Sequence, residues 1–450
     1  MSKRADLRVG IISDLHVGFA GHLCPNYYGL SQKAGLQDLW VEYALRYYKK
    51  RGVDVIVVPG DIANACSYDD TTRTWGDYAK MEIARFGATF QKVFSGTDTK
   101  LMAIYGNHDH FCQPRERLNG GTETPWQDAF GEEYKHIFAK KIKGYHFVGA
   151  NWGYEKDAKE ALEYAVKDTP EKPVFYIQHD AIADTTIDGV GVQRETAKIG
   201  KELVKDHENI IALIGHTHYP ITDERTIWQG QGCDEPKCTV VSCSTFNYAD
   251  GGELIRGENL KTKHGLYLTI CGKEINIERQ SFYTDEMVAL VNGKKSKQNY
   301  KKCVVSAGKD WNFTLFGEKK YSISKRAEKA VAPEFPKDAF AGAQKNDTFV
   351  VIAFPCAIPM ATDDDILRYY SVDAIEDSTG EVVNTQRIVT ESHIDHTDKH
   401  FSEYYQITVG NLKPDTDYTF KVYAEDCYGK RSEPIIRKAK TLASYSNKLV

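Results

Sequence analysis

No apolar stretch in the 450-residue sequence approaches the ~20 residues that a membrane helix needs. Nor is there a long basic block, and with a formal net charge of −5 nothing points to an electrostatic footprint for nucleic acid. The ten cysteines (24, 66, 112, 233, 238, 243, 271, 303, 356 and 427) never fall in CxxC spacing, which fits buried reduced thiols better than a disulfide framework. Cys233, Cys238 and Cys243 cluster, but their spacing of five is looser than that of a usual structural zinc site. Positive charge at Met1-Ser-Lys-Arg4 is not followed by an apolar signal core, because the run from Val9 ends at Ser13-Asp-Leu-His16. As written the chain carries no export signal and is expected in the cytoplasm; an exported mature form would read the same way.

What is present is ordinary globular material, with 41% hydrophobic, 12% aromatic and 27% charged residues. The length predicts two or three domains. From residue 7 to about 215, short runs rich in Val, Ile, Tyr and Phe (7–13, 54–59, 100–105, 145–150, 174–178 and 210–214) alternate with amphipathic stretches. Among the latter, Leu36, Trp40, Tyr43 and Tyr47 recur at helical spacing, as do Met81, Ala84 and Ala88, and Ala158, Ala161 and Ala165. Strand then helix, repeated, predicts an α/β domain of largely parallel strands covered by helices. Past residue 220 the runs 225–229, 239–242, 265–271 and 274–280 predict antiparallel pairs and a second sheet, closing a domain at 1–283. Lysine-rich residues 284–334 read as a connector docked on that core through Trp311, Phe313 and Phe316.

Residues 335–443 alternate at sandwich spacing, in runs 348–354, 369–376, 382–388, 404–409, 418–423 and 435–440. Leu412-Lys-Pro-Asp-Thr-Asp-Tyr418 followed by Phe420, Val422 and Ala424 resembles the fibronectin type III pattern of a turn, a tyrosine corner and an inward-alternating strand. No tryptophan occupies the expected early strand, where Tyr369 or Tyr370 is the available substitute. His393, His396 and His400, with Asp395 and Asp398, read as a solvated loop rather than a metal site.

In the first domain, residues able to bind metal or move protons stand where apolar runs stop: Asp14 and His16, Asp61, Asn107-His108-Asp109, His179, and His216 and His218. In parallel sheets ligands bind at the carboxyl ends of the strands, which is where these residues fall. Asp14 and His16 are two apart, and so are His216 and His218; on an extended strand end each pair shares one side, so that Asp14 and His16 can face one ion and His216 and His218 emerge on one face. A carboxylate such as Asp61 offers two oxygens and a negative charge that can bridge two cations.

Taken in order, Asp14-x-His16, Gly60-Asp61, Gly106-Asn107-His108-Asp109, His179 and Gly215-His216-x-His218 resemble the signature of the calcineurin-like metallophosphoesterases over about residues 7–283. The resemblance implies a four-layer β-sandwich flanked by helices. It also implies two transition-metal ions, manganese, iron or zinc: one held by Asp14, His16, Asp61 and His218, the other by Asp61, Asn107, His179 and His216. A water or hydroxide between the ions would attack the phosphorus, with His108 unligated and facing the substrate. Asp109 and Asp180 are expected to support neighbouring groups. His22, Tyr27, Tyr28, Arg73, His110 and Arg115 are candidate substrate contacts.

Departures from sister patterns narrow the substrate. Asn64 stands where purple acid phosphatases place an iron-binding tyrosine, 60–66 lacks the protein-phosphatase pattern, and Asp109-His110-Phe111 breaks the nucleotidase block. The expectation is a phosphodiesterase acting on a cyclic nucleotide or a similar small diester. The alternatives are a phosphomonoesterase or nuclease of the same superfamily, and a metal-binding scaffold whose sandwich domain recognises a glycan or peptide. The sequence names no partner for that sandwich.

Overall fold

The computed structural model describes residues 5–17, 36–64, 75–109, 124–131, 134–187, 194–230, 235–249, 262–291, 293, 302–358, 366–390, 393 and 403–444. The chain divides into two compact units. One comprises Met1–Ile221 with Arg225–Ile323, the other Thr222–Glu224 with Ser324–Val450.

The first unit holds two mixed sheets. In one, Leu7–Ile11, Val55–Val58 and Lys100–Ala103 run parallel, and Leu7–Ile11 is flanked on its other side by antiparallel His264–Cys271, then Glu274–Ser281. In the other, Tyr145–Ala150, Val174–Gln178, Ile210–Ile214 and Thr239–Ser242 are parallel, with Ile137–Ile142 and Ile227–Gln229 antiparallel at the edges. The period-2 alternation of the strands explains the layering. Phe175 and Ile177 join Val9, Ile11 and Val57 in one core between the sheets, whereas Val174 and Tyr176 face the opposite way, into a cluster with Leu162, Ala165 and Val204 of the helices Lys159–Asp168 and Glu195–Val204. Helices Leu36–Arg51 and Trp75–Phe94 bury Trp40, Leu45, Tyr48, Ile83 and Phe86 in the core that the first sheet shares. Two stacked sheets with helices on their outer sides make four layers.

The antiparallel strands after residue 220 do not form a sheet of their own. Leu266, Leu268 and Ile270 lie opposite Ile11, Val9 and Leu7, so burial is completed by extending the existing sheet. Within 284–334, Val305–Ser306 and Trp311–Thr314 pair with Glu274–Ser281, and Trp311 is fully buried.

The second unit is an all-β sandwich. Gly342–Lys345, Val350–Pro355 and Tyr404–Val409 form one antiparallel sheet; Glu381–Val389, Leu367–Glu376, Asp417–Asp426 and Ile435–Lys440 form the other. Val350, Ile352 and Phe354 meet Tyr370, Val372, Phe420 and Val422 between them. The corner that the fibronectin-type resemblance implies is formed, the Lys413 N–H donating to the Tyr418 hydroxyl at 2.9 Å. Tyr370 packs in this core, its ring 5.1 Å from Phe354 and 4.6 Å from Tyr405, its hydroxyl accepting from the Ala357 N–H at 2.7 Å.

His393 is not in a solvated loop. It is fully buried in this unit, with Nε2 2.9 Å from Asp223 Oδ2, and its carbonyl accepts from the Thr222 hydroxyl. Asp395, His396, Asp398 and His400 lie outside the described residues. No described helix is long and apolar enough to cross a membrane.

Candidate metal centre

Five of the polar residues that end apolar runs leave their strands abruptly. Asp14, His16, Asp61, His216 and His218 all have left-handed backbones, with φ of 51°, 41°, 50°, 66° and 52°. The expectation that Asp14/His16 and His216/His218 each share one side of an extended strand end is therefore corrected. The strands stop at Ile11 and Ile214, and the side chains converge because the loops coil. Asp and His tolerate this region better than most residues, but such conformations persist only where the surroundings enforce them, and they cluster at functional sites.

The loops also approach one another more closely than side chains would permit. A Cβ at Gly106 would lie 2.3 Å from Asp61 Oδ1 and 2.6 Å from His179 Nε2; one at Gly215 would lie 2.7 Å from Asp14 Oδ2. Hydrogen at these positions is what lets the residues on either side meet.

Two groups of donors result, Asp14, His16, Asp61 and His218 in one and Asp61, His179 and His216 in the other, the donor atoms of each within 4.8 Å of one another. In the first, His218 Nε2 is 3.0 Å from both Asp14 Oδ1 and His16 Nε2, and His16 Nε2 is 3.8 Å from Asp61 Oδ2. In the second, His179 Nε2 is 3.3 Å from Asp61 Oδ2 and 3.0 Å from Asn107 Oδ1. Asp61 belongs to both. Asp14, His16, Asp61, His179 and His218 are buried, while Asn107, His108 and His216 are partly exposed.

The protonation pattern tests whether a cation fits. A carbonyl oxygen only accepts, so the Pro59 carbonyl, 2.8 Å from His179 Nδ1, and the Tyr248 carbonyl, 3.0 Å from His218 Nδ1, place a proton on each Nδ1. Nε2 of both rings is then turned toward oxygen acceptors or another ring nitrogen. His216 Nε2 is buried without a hydrogen-bond partner. Backbone carbonyls that fix the tautomer and leave Nε2 for a metal are a common arrangement around ligating histidines. Burial alone would push His179 down, but Asp61 outweighs it and lifts its pKa to about 10. Burial likewise opposes ionisation of Asp61, yet His179 and His108 hold its carboxyl well below the usual range. Burial, then the His108 ring, lowers His16. The second pocket thus takes up positive charge, as a proton on His179 or as a metal ion in its place.

The model of the calcineurin-like phosphoesterases matches residues 7–272. The chain belongs to the calcineurin-like phosphoesterase family. Its first unit is accordingly that of a metal-dependent phosphoester hydrolase, and the family's dinuclear centre agrees with the paired donor groups. Among solved structures, the chain is similar to a dimetal phosphatase from Danio rerio, at 9% identity over 69% of this chain and 100% of that one, with a TM-score of 0.44. It is also similar to the FN5 domain of Drosophila Lar, at 22% identity over 25% of this chain and 100% of that one, with a TM-score of 0.16. No curated protein matches the sequence.

Around the calcineurin-like centre, Asp109 ties two loops together. Its carboxylate accepts from the backbone N–H groups of Gly106, Ile62 and Ala63 at 2.9, 3.1 and 2.7 Å. Burial and the Asp61 charge push its pKa up to about 7. Asp180 accepts from Trp152 Nε1 and Arg194 Nη1, each at 3.0 Å, and from the Thr196 hydroxyl, and its Oδ1 lies 3.7 Å from His216 Nε2. Asn64, noted for not being tyrosine, contributes its main chain: the His108 Nδ1–H donates to its carbonyl at 2.9 Å.

Sequence reading missed Trp152, Arg194 and Tyr248. The Tyr248 ring centroid is 4.4 Å from that of His218 and 5.3 Å from that of His16. No spacing announces these residues, because each reaches the site from an element distant in sequence. His22, Tyr27, Tyr28, Arg73, His110 and Arg115 lie outside the described residues. So do Cys24, Cys66, Cys112 and Cys233; Cys238 and Cys243 are buried free thiols that enter neither donor group.

Proposed function

We propose that this protein hydrolyses a small phosphodiester, with one ion held by Asp14, His16, Asp61 and His218, a second by Asp61, Asn107, His179 and His216, and His108 serving the leaving group. The observation that carries the reading is the sharing of Asp61 between two donor groups beside an imidazole that belongs to neither. When bound, two such ions supply Lewis-acid polarisation of the phosphoryl group and make water acidic enough to attack near neutral pH.

The chain's own residues then have separate tasks. Asp61 turns Oδ2 toward His179 and His16 while Oδ1 accepts from the His108 backbone N–H at 2.9 Å, which fixes the carboxylate between the pockets. His108 gives its Nδ1–H to the Asn64 carbonyl, so Nε2 is the nitrogen left to hydrogen-bond a phosphoryl oxygen or protonate the departing alkoxide. Asn107 and His179 complete the second pocket without adding negative charge.

Charge among the described residues suits a diester. Arg194, the guanidinium that the described residues bring beside His216, is already bound to Asp180, and a monoester dianion would call for more unspent cationic side chains than a diester monoanion does. The test is hydrolysis of bis-p-nitrophenyl phosphate and p-nitrophenyl phosphate with added manganese. The diester is expected to show the higher kcat/KM; a reversed preference would assign a phosphomonoesterase. Salt-dependent binding of DNA would assign a nuclease, and stoichiometric metal without turnover of any ester would leave a scaffold.

A further inference from the structure

Behind the first donor group, four successive carbonyls of the loop that carries Asp14 and His16 are gripped from two other segments. Ser13 O accepts from the Phe246 N–H at 2.8 Å and Asp14 O from the Thr245 hydroxyl at 3.2 Å. Leu15 O accepts from Gln37 Nε2 at 2.7 Å and from Asn247 Nδ2 at 3.4 Å, and His16 O accepts from the same Asn247 nitrogen at 3.3 Å. Gln37 Nε2 also binds the Phe246 carbonyl at 2.9 Å. The next residue in that segment, Tyr248, presents the carbonyl that orients His218. One network therefore holds both the left-handed Asp14–His16 loop and the backbone that sets the His218 tautomer.

A carboxamide can do this only one way round. Its NH2 must face the carbonyls, and its oxygen must then find a donor. For both carboxamides that donor is Lys263. Its Nζ lies 2.9 Å from Gln37 Oε1, 3.5 Å from Asn247 Oδ1 and 3.2 Å from Asn247 O. The lysine is 1% exposed, sits 5.7 Å from the centre of the Trp40 ring, and bonds no carboxylate among the described residues. Burial pushes its pKa down to about 7, and a lysine this buried with no carboxylate partner among the described residues is costly, so it is expected where its donors are needed. Donor-only chemistry is what is needed here: an acceptor or an apolar group would free both carboxamides to turn.

We infer that Lys263 is a positioning residue for one half of the metal centre, locking the Gln37 and Asn247 carboxamides so that Asp14, His16 and His218 converge on a single ion. The inference rests on the two-ion reading and adds an asymmetry to it. His179 Nδ1 is held by Pro59 and the Asp61 loop by Asp109, so the second pocket has its own supports. Losing Lys263 weakens the first pocket and spares the second.

The test is titration of metal-free full-length protein with manganese(II), with bound ions counted by elemental analysis after equilibrium dialysis and folding followed by circular dichroism. Wild type is expected to bind two ions. Lys263→Met is expected to keep one at wild-type affinity and to bind the other at least tenfold more weakly; the retained ion is expected to vanish when His179→Ala is added. Gln37→Leu cuts one link of the same network without removing a cation, and serves if Lys263→Met does not fold; the same selective weakening is expected of it. Equal weakening at both sites, or two ions bound as in wild type, would overturn the role of Lys263 while leaving the two-ion reading intact. Fewer than two ions on wild type would overturn both.

Discussion

The Asn64 carbonyl holds His108 by Nδ1, 2.9 Å away, and thereby decides which imidazole nitrogen is left for chemistry. His108→Ala removes that nitrogen but no member of either donor group, and the backbone N–H that binds Asp61 remains. Turnover of bis-p-nitrophenyl phosphate is expected to fall by roughly 10²–10⁴-fold, the usual range for general acid catalysis, with two ions still bound. Loss of metal in step with activity would assign His108 a different role.

Gly106→Ala places a methyl group where Asp61 Oδ1 and His179 Nε2 lie within 2.6 Å. Neither neighbour can retreat, since Asp61 is tied to the His108 N–H and His179 to Pro59. The variant is expected to lose the ion of the second pocket and nearly all activity, read by metal content and initial rate.

Metal uptake is expected to release protons. His179, lifted to about 10 in the metal-free protein, carries a proton at pH 8 that an ion must displace. Isothermal titration in buffers of different ionisation enthalpy is expected to show close to one proton released at pH 8, and fewer as pH rises through about 10. The sign for stability follows from the same shift. A group raised from the ordinary ~6.5 stabilises the metal-free fold fully below that pH, and the contribution disappears as pH rises through about 10.

Asp109→Ala leaves three buried backbone N–H groups without their acceptor. At about 1–3 kcal/mol for each unsatisfied group, a loss of several kcal/mol is expected, visible as a lower unfolding midpoint. Tyr418→Phe in the sandwich breaks only the bond to the Lys413 N–H. It is expected to cost about 1 kcal/mol and to leave phosphoester hydrolysis unchanged.

Much of this arrangement could be read from the sequence because it depends on local pattern. Val174–Gln178, Ile210–Ile214 and Tyr404–Val409 are buried or alternating runs whose limits coincide with those expected, and the residues that end such runs are the ones the fold gathers. What escaped depends on partners far along the chain. Helix Glu195–Val204 turns Ala197, Gly200 and Val204 inward, two of them too small to mark an apolar stripe, and Gly342–Lys345 contains no β-branched residue, so each is ordered by what it packs against. The left-handed turns at Asp14 and His16 were hidden too, because nothing in Ser-Asp-Leu-His distinguishes a coiled loop from an extended one. Lys263, 247 residues from His16 and reading as one more charged residue in a polar stretch, acquires its meaning only through Gln37 and Asn247.

Whether Asp61 joins two ions in one centre is decided by counting metal on Asp61→Ala. Wild type is expected to bind two manganese(II) ions per chain and the variant to fall below one under the same conditions, because both donor groups lose their shared carboxylate. Two ions bound by the variant at unchanged affinity would mean that Asp61 bridges nothing.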